Sequence, residues 1–296
     1  MTRKFLKSFF LSLGIALCVL QVKRFCNKKT DGFELYKIHS SLPFNPDWEC
    51  APSTNEAEIL KNLDQPFYYL AKGAQAYVFA SADGQTVIKF FRIYHLLPPL
   101  WLRALSLPSV LQPYKICKMI QKRQELDKDF LSYKIAFDEM KEETGLLYLH
   151  LNKTTGLNQR LTIYDKIGIA HPLNLDEMEF LVQKRATLVF PSIDSLVKTE
   201  GEAAGKEAIS TLVELLYTRC RKGIFDKDPD LNTNFGFLGR QAVQIDIGRF
   251  RKEQQIATAE NDRDEIIRIT DNFRQWLDQN HPSLSEHLLS EIHKTI

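Results

Sequence analysis

The sequence predicts an α+β fold in which a mostly β first half and a mostly helical second half face each other across a cleft. Strand-like runs rich in aromatic and β-branched residues occupy residues 66–91 and 160–190, whereas apolar residues recur at helical spacing in residues 115–143, 205–224 and 260–295. A polar stretch follows the first helix of the second half. The chain has 296 residues, 44% of them hydrophobic, which is enough for one substantial core or for two lobes.

Charge and cysteine content exclude several classes of protein. The formal net charge is only +2, so nothing in the composition demands a nucleic-acid partner. The five cysteines are scattered and form no CxxC pair or cluster with histidine. This pattern argues against a disulfide framework and a zinc site, and it favours a reducing compartment.

The N-terminus carries an apolar run from Ser8 to Val22 with basic residues on both sides. The flanking basic residues are Arg3, Lys4, Lys7, Lys23, Arg24, Lys28 and Lys29. Flanking lysines can reach the lipid headgroups, so residues 1–29 are predicted to form an uncleaved membrane anchor. A cleaved signal peptide and a buried helix are the alternatives, and the orientation of an anchor stays open.

The elements after the anchor are predicted from local patterns. Residues 30–65 are rich in Pro, Ser and Asn, which indicates a linker or an extended arm with one short helix. A hairpin with its turn at Asp83-Gly84 is predicted within residues 66–91. Residues 115–143 predict one long helix or two. The segment "QAVQIDIG", residues 241–248, alternates like a strand and ends at a glycine, and two amphipathic helices complete the chain.

Two positions in the first half suggest chemistry. Gly73, in "LAKGAQAYVF", lies between two strand-like runs, where backbone N–H groups could approach a phosphate; the simpler interpretation is an ordinary turn. Lys89, in "TVIKFF", is flanked by strand-forming apolar residues, and a buried ammonium is costly unless it is paired. An edge strand that points Lys89 to solvent is the alternative.

The third candidate site for chemistry is the polar stretch at residues 223–250. Its polar residues include Asp226, Asp228, Asp230, Asn232, Asn234 and Asp246. A calcium loop of the EF-hand type is excluded because Leu231 and Phe237 occupy the positions that need Gly and Glu. A DxD sugar-nucleotide site would leave Lys89 and Asp246 unexplained, and a solvated loop accounts poorly for Asp246, which ends an apolar strand.

Taken in order, these segments resemble the protein-kinase-like fold. "KGAQAYVFASADGQTVIKFF" is similar to the Gly-rich hairpin and lysine-bearing strand of its small lobe, and "MEFLVQKRA" to its hinge strand. "TRCRKGIFDKDPDLNTN" resembles the catalytic loop, and "IDIG" the "DFG" element. The resemblance implies a bilobal fold, with a β-rich N-lobe at residues 66–186 and a reduced helical C-lobe at residues 187–296.

The resemblance also implies roles in binding ATP. Lys89 would grip the α- and β-phosphates, Gly73 would lie in the loop above them, and Gln183 and Lys184 would belong to the hinge beside adenine. A helical glutamate would pair with Lys89. Glu143 is the first choice for this role, ahead of Glu139 and Glu142.

The same resemblance implies that Asp246 and Asn234 bind Mg2+ and that a nearby aspartate is the catalytic base. Asp226 precedes Pro229 by three residues, as the base does in the family, and is preferred; Asp228 is the alternative. The family's asparagine lies five residues beyond the base, and neither aspartate reproduces that spacing.

Several departures from the family's pattern accompany the match. "HRD" is replaced by "IFD", two of the three loop glycines are missing, and no "APE" segment follows "DIG". Fewer than fifty residues remain after the "DIG" element, as in small-molecule, lipopolysaccharide-core or other atypical kinases.

The predicted function is that of a membrane-anchored, ATP-dependent phosphotransferase whose domain faces a cytosol. Its acceptor stays open between protein, sugar and lipid. A pseudokinase that keeps the fold without transfer is the main alternative. A third reading is an interaction protein that uses the apolar segment "YHLLPPLWLRALSLP", residues 94–108, as its contact surface, although core packing of that segment is preferred.

Overall fold

The computed structural model describes residues 2–52, 55–252 and 259–294, and it has the predicted mixed α+β composition. The helices are α1 (Thr2–Thr30), α2 (Glu56–Lys61), α3 (Ile93–Leu96), α4 (Leu100–Ala104), α5 (Gln112–Glu139), α6 (Lys141–Thr144), α7 (Val189–Glu200), α8 (Glu202–Arg221), α9 (Ala259–Asn280) and α10 (Pro282–Lys294). The strands are β1 (Phe67–Lys72), β2 (Ala76–Ser81), β3 (Thr86–Phe91), β4 (Leu146–His150), β5 (Arg160–Tyr164), β6 (Ala170–Asn174), β7 (Phe180–Lys184), β8 (Thr187–Leu188), β9 (Ile224–Asp226), β10 (Phe235–Leu238), β11 (Gln241–Gln244) and β12 (Phe250–Lys252).

A seven-stranded sheet forms the first half, in the order β4-β7-β3-β2-β1-β5-β6. Neighbouring strands are antiparallel, apart from the parallel pair β1 and β5. Strand β3 lies in the middle of the sheet, where Lys89 is opposite Val78 of β2 and Leu181 of β7. The alternative that Lys89 belongs to a solvent-exposed edge strand is therefore wrong.

The alternation of β3 decides which side chains reach the cleft. Ile88 and Phe90 are fully buried in the core on one face of the sheet. Because successive side chains of a strand point to opposite faces, Val87 and Lys89 lie on the other face. The predicted hairpin between β2 and β3 is confirmed, and its turn contains Gly84 at φ +72°.

Helix α5 packs across the sheet and joins it to the second half. The sequence predicts apolar residues at helical spacing within residues 115–143, and five of these residues are buried. These residues are Leu126, Phe130, Tyr133, Phe137 and Met140. They share one core with Phe91 and Leu181 of the sheet and with α7, α8, α9 and α10 of the second half. Two small sheets, β8-β10-β11 and β9-β12, lie in the same half.

The segment between α1 and β1 packs against the sheet more closely than a linker would. Ile38, Trp48 and Leu63 are buried, and the Trp48 ring contacts Phe130 of α5 with ring centroids 4.7 Å apart. Helix α2 supplies the predicted short helix. The segment therefore contributes to the stability of the fold.

Helix α1 projects from the rest of the protein. Residues Ser8–Thr30 are long and apolar enough to cross a membrane, and none of this part is buried. An N-terminal signal sequence has the same length and composition, so the helix alone does not decide between an anchor and a signal.

The apolar segment after β3 is mostly exposed, so the expectation that it packs into the core is wrong. Ile93 and Leu102 are buried, but Leu100, Trp101 and Leu105 are each more than half exposed. Two prolines, Pro98 and Pro99, restrict the segment to short helices that fold back only partly on the sheet.

We predict that Trp48→Ala lowers the free energy of unfolding by about 3–5 kcal/mol, because it removes a large ring from the core. Phe44→Ala, a matched change at a side chain that is 62% exposed, is expected to alter it by at most about 0.5 kcal/mol. Urea unfolding of the two variants measures the difference. Equal effects would show that the segment does not pack as described.

Candidate functional site

A cleft of about 780 Å3 lies between the sheet and the loops of the second half. Its walls come from the β1–β2 turn, the inner face of β3, the link between β7 and α7, and residues 228–249. Seven of the nine predicted site residues line it. They are Gly73, Lys89, Gln183, Lys184, Asp228, Asn234 and Asp246. The other two, Glu143 and Asp226, have different environments, described below.

Lys89 reaches from the sheet to the second half of the chain. Its Nζ donates a hydrogen bond to the Ile245 carbonyl oxygen at 2.6 Å. Burial lowers the pKa of Lys89, and the charge of Asp246 opposes this effect. An ammonium group has three donors, and the carbonyl takes one of them. Lys89 thus forms a polar contact across the cleft, between β3 and the segment that follows β11.

Asn234 and Asp246 are brought together by the β10–β11 hairpin. The Asn234 carbonyl accepts hydrogen bonds from the N–H groups of Ile245 at 2.8 Å and Asp246 at 3.3 Å, immediately beyond the first strand pair. The Asn234 Nδ2 donates to the Asp228 carbonyl at 2.6 Å, which fixes the loop before the hairpin. Two separated polar residues thus meet at the base of one hairpin.

Mg2+ fits the oxygen donors at this point of the cleft. Carboxylate and amide oxygens are suitable ligands, and Mg2+ in phosphate sites needs only one or two carboxylates from the protein. Asp246 and Asn234 supply that set. Among the described residues no group of three or more His, Cys, Asp and Glu side chains forms a candidate metal cluster.

The preference for Asp226 as the base is not supported, because its carboxylate lies behind the cleft and is only 2% exposed. Its Oδ2 accepts a hydrogen bond from Gln244 Nε2 at 2.5 Å and lies 3.8 Å from Arg219 Nη1, while its Oδ1 accepts from the Asp228 N–H at 3.0 Å. Burial raises its pKa. Strand β9 turns Ile224 and Asp226 inward together.

Asp228 is the aspartate that lines the cleft. Its side chain is more than half exposed, and its Oδ2 lies 2.9 Å from Arg249 Nη1, which also lines the cleft. Sequence reasoning overlooked Arg249. Its position directly after the "DIG" segment could have identified it as a neighbour of the loop.

Glu143 forms an ion pair with Lys222 rather than the predicted pair with Lys89. Glu143 Oε1 accepts a hydrogen bond from Lys222 Nζ at 2.5 Å, and Glu139 pairs with Lys252. Helix α5 ends at Glu139, and the non-helical conformation of Met140 turns the chain before Glu143. Both glutamates therefore pair with basic residues of the second half.

Helix α5 presents Tyr133 to the cleft instead of a glutamate. The Tyr133 hydroxyl donates to Gln75 Oε1 at 2.7 Å, and Gln75 Nε2 donates to the Gly248 carbonyl at 3.3 Å. A Cβ added to Gly248 would lie 1.8 Å from Gln75 Oε1, so a larger residue here would displace the Gln75 side chain. Ser132 also contacts this segment, donating to the Ile247 carbonyl at 2.5 Å. Helical spacing marks Tyr133 as a buried residue but not as a neighbour of the cleft, and no local sequence signal marks Gln75.

Gln183 forms part of the cleft wall at its inner end. Its Nε2 donates to the Thr144 carbonyl at 2.6 Å, and the residue is almost fully buried. In the described part of the chain, its Oε1 has no hydrogen-bond partner. A buried acceptor without a partner is costly to the stability of the fold. Lys184 is the last residue of β7, and its backbone N–H donates to the Gly145 carbonyl at 2.9 Å.

Comparisons with known proteins give only weak structural likenesses. No protein-family model matches the chain, and no curated protein matches it in sequence. A structure of WbdD with the kinase inhibitor LY294002 matches 76% of this chain with 13% identity and a TM-score of 0.35. A structure described as the bifunctional kinase-methyltransferase WbdD matches 74%, with 15% identity and a TM-score of 0.33. Rv3197 of Mycobacterium tuberculosis, in complex with erythromycin, matches 97%, with 14% identity and a TM-score of 0.35.

The chain spans less than half the length of the two WbdD chains, 45% and 42%, and 75% of the Rv3197 chain. At these TM-scores the likenesses assign no family and no activity to this protein.

We predict that Asp226→Ala lowers the free energy of unfolding by about 3–5 kcal/mol, because it leaves the buried guanidinium of Arg219 without its charged partner, with only the hydrogen bond to Gln244 Oε1 remaining. Asp228→Ala removes only an exposed ion pair and is expected to cost at most about 1 kcal/mol. Chemical denaturation of both variants provides the measurement. A larger loss of stability in Asp228→Ala would contradict the assignment of Asp226 as the structural residue.

Proposed function

We propose that this chain is a membrane-associated, kinase-like phosphotransferase that binds ATP and Mg2+ in the cleft. The observation that supports this proposal best is that Lys89 of the central strand β3 and the pair Asn234 and Asp246 line the same cleft. A cation on one wall and oxygen ligands for a metal on the other are the requirements for holding a triphosphate. In this proposal residues 66–186 form the N-lobe and residues 187–296 the C-lobe.

The cleft has a suitable size and lining for a nucleotide. Its volume of about 780 Å3 lies in the range typical of small-molecule sites. Apolar side chains of Val78, Val87 and Leu188 line it and could enclose a base. Gln183 lines the cleft beside Lys184 at the end of β7. We therefore propose that adenine lies toward Gln183 and Lys184 and the phosphates toward Gly73 and Lys89.

The polar residues divide the work of phosphoryl transfer among them. Lys89 would hold the α- and β-phosphates, and their charge would offset the cost of burying its ammonium. Asp246 and Asn234 would hold Mg2+, which neutralises charge as it develops on the phosphoryl group. Asp228 would orient the acceptor hydroxyl and accept its proton, since it is the aspartate of the pair that lines the cleft.

Two observations favour a second candidate function, a nucleotide-binding module that transfers no phosphate. Arg249 already holds the carboxylate of Asp228 in an ion pair. Glu143, predicted to pair with Lys89, pairs with Lys222 instead. In this reading the cleft binds a nucleotide as a ligand, and Asp228 has no catalytic task.

The N-terminal helix supports the proposed location. An anchor formed by Ser8–Thr30 would hold the cleft close to a membrane, and the use of ATP would require the domain to face a cytosol. The residues that line the cleft fit more than one class of phosphoryl acceptor. The proposed acceptor is therefore a protein, a sugar or a lipid.

We predict that Mg·ATP raises the thermal unfolding temperature of the full chain in detergent, with a stabilisation of about 2.7 kcal/mol at a hundred times the dissociation constant. Asp246→Ala is expected to abolish the Mg2+-dependent shift because it removes a metal ligand. Asp264→Asn, an exposed aspartate of α9, serves as the matched control. No shift in the wild type would contradict nucleotide binding.

We further predict that Asp228→Asn keeps the Mg·ATP shift but reduces release of phosphate from ATP by about 10²–10⁴-fold, the usual contribution of a general base. Phosphate release is measured with the full chain and compared with that of Asp264→Asn. A wild type that binds Mg·ATP without releasing phosphate would favour the binding module. Unchanged release in Asp228→Asn would exclude it as the base.

A further inference from the structure

The segment that follows β3 combines exposed apolar side chains with charged side chains that are all basic. Ten of the thirty large hydrophobic side chains that are exposed among the described residues lie between Tyr94 and Ile120. They are Tyr94, Leu100, Trp101, Leu105, Val110, Leu111, Tyr114, Ile116, Met119 and Ile120. We call them the 94–120 surface. So many exposed apolar side chains in one segment indicate a surface that contacts something apolar.

The shape of this region follows from where α5 meets the sheet. The second half of α5 is held in the core by Leu126 and Phe130, whereas its first turns extend beyond the sheet. The short helix α4 lies beside those turns, and Lys115 Nζ donates to the Leu105 carbonyl at 2.8 Å. Contacts between α5 and the segment around α4 therefore hold the 94–120 surface in place.

The charge of the region is strongly basic. Between Ile93 and Gln124 the sequence contains no Asp or Glu. Its five basic residues are Arg103, Lys115, Lys118, Lys122 and Arg123. Two of them, Lys122 and Arg123, form ion pairs with Glu125 and Asp127 of α5. A partner of this region has to accept apolar side chains and basic charge together.

The end of α1 is fixed next to the start of this region. The Gly32 carbonyl accepts a hydrogen bond from the Tyr77 hydroxyl at 2.7 Å, and Phe33 packs in the core of the sheet. A few residues later, the Tyr36 ring contacts Tyr94 with ring centroids 5.6 Å apart. The helix that could cross a membrane thus enters the domain beside the 94–120 surface.

We propose that the 94–120 surface lies on the anionic headgroup layer of a lipid bilayer and forms a second membrane contact in addition to α1. Apolar side chains that enter the headgroup boundary, flanked by Lys and Arg, are typical of interfacial segments, and Trp101 is of the residue type that prefers this depth. Basic residues complement the charge of anionic lipids. A second copy of the chain is a poorer occupant, because its own basic region would be repelled. The proposal does not depend on phosphotransferase activity.

Trp101 provides a natural probe for the test. It is 55% exposed, whereas Trp48 is buried and Trp276 packs against the core. The full chain is reconstituted, one copy per nanodisc, in bilayers containing anionic lipid with or without bromine on the acyl chains. The Trp101 signal is the difference between the emission of the wild type and that of Trp101→Phe. We expect brominated lipid to reduce this difference by about half or more.

Two further variants locate the contact and its electrostatic part. In the Trp101→Phe background, Ile267→Trp places a probe on an exposed position of α9 and is expected to remain unquenched. Arg103→Gln combined with Lys118→Gln is expected to weaken the quenching of Trp101, as is the replacement of anionic lipid by zwitterionic lipid. Absence of Trp101 quenching in anionic bilayers would overturn the proposal, as would equal quenching of the Ile267→Trp probe. An unquenched Trp101 whose emission shifts to the blue on addition of a second copy would assign the surface to self-association instead.

Discussion

The hydrogen bond from the partly buried ammonium of Lys89 to the Ile245 carbonyl is the interaction on which the rest of the structure depends. A charge in the central strand of a sheet is costly unless a partner lies within reach, and the partners here come from the other half of the chain. The Ile245 carbonyl accepts its hydrogen bond, and the charge of Asp246 stabilises its protonated form. The Lys89 side chain therefore links the sheet to the segment that follows β11. A phosphate ligand would strengthen the same link.

The four residues from Ile245 to Gly248 are held from three directions. Lys89 approaches from β3, Ser132 from α5, and Gln75 from the turn between β1 and β2. Because these contacts converge, the position of Asp246 depends on the packing of α5 and of the turn. A substitution that alters the packing of α5 or of this turn would therefore shift Asp246, the candidate metal ligand. The stability of the fold and the geometry of the cleft are coupled in this way.

Local patterns were sufficient to predict several of the elements and several residues of the cleft, but they could not supply contacts between distant segments. Strand alternation and helical spacing predicted the β2–β3 hairpin and the buried stripe of α5. The burial of Asp226 depends on Arg219 of α8 and Gln244 of β11, and the partner of Glu143 is Lys222, so neither was visible in local sequence. The exposure of Trp101 likewise depends on how far α5 extends beyond the sheet. These are tertiary effects, which composition and periodicity do not encode.

The central claim is that Lys89 and Asp246 hold the two ends of one Mg2+-nucleotide complex. A crystal structure of the full chain with Mg2+ and a non-hydrolysable ATP analogue tests it most directly. The account predicts phosphate oxygens about 3 Å from Lys89 Nζ and a metal ion about 2.1 Å from a carboxylate oxygen of Asp246, with adenine beside Gln183. A nucleotide bound outside the cleft, or one whose metal is held without Asp246, would contradict it.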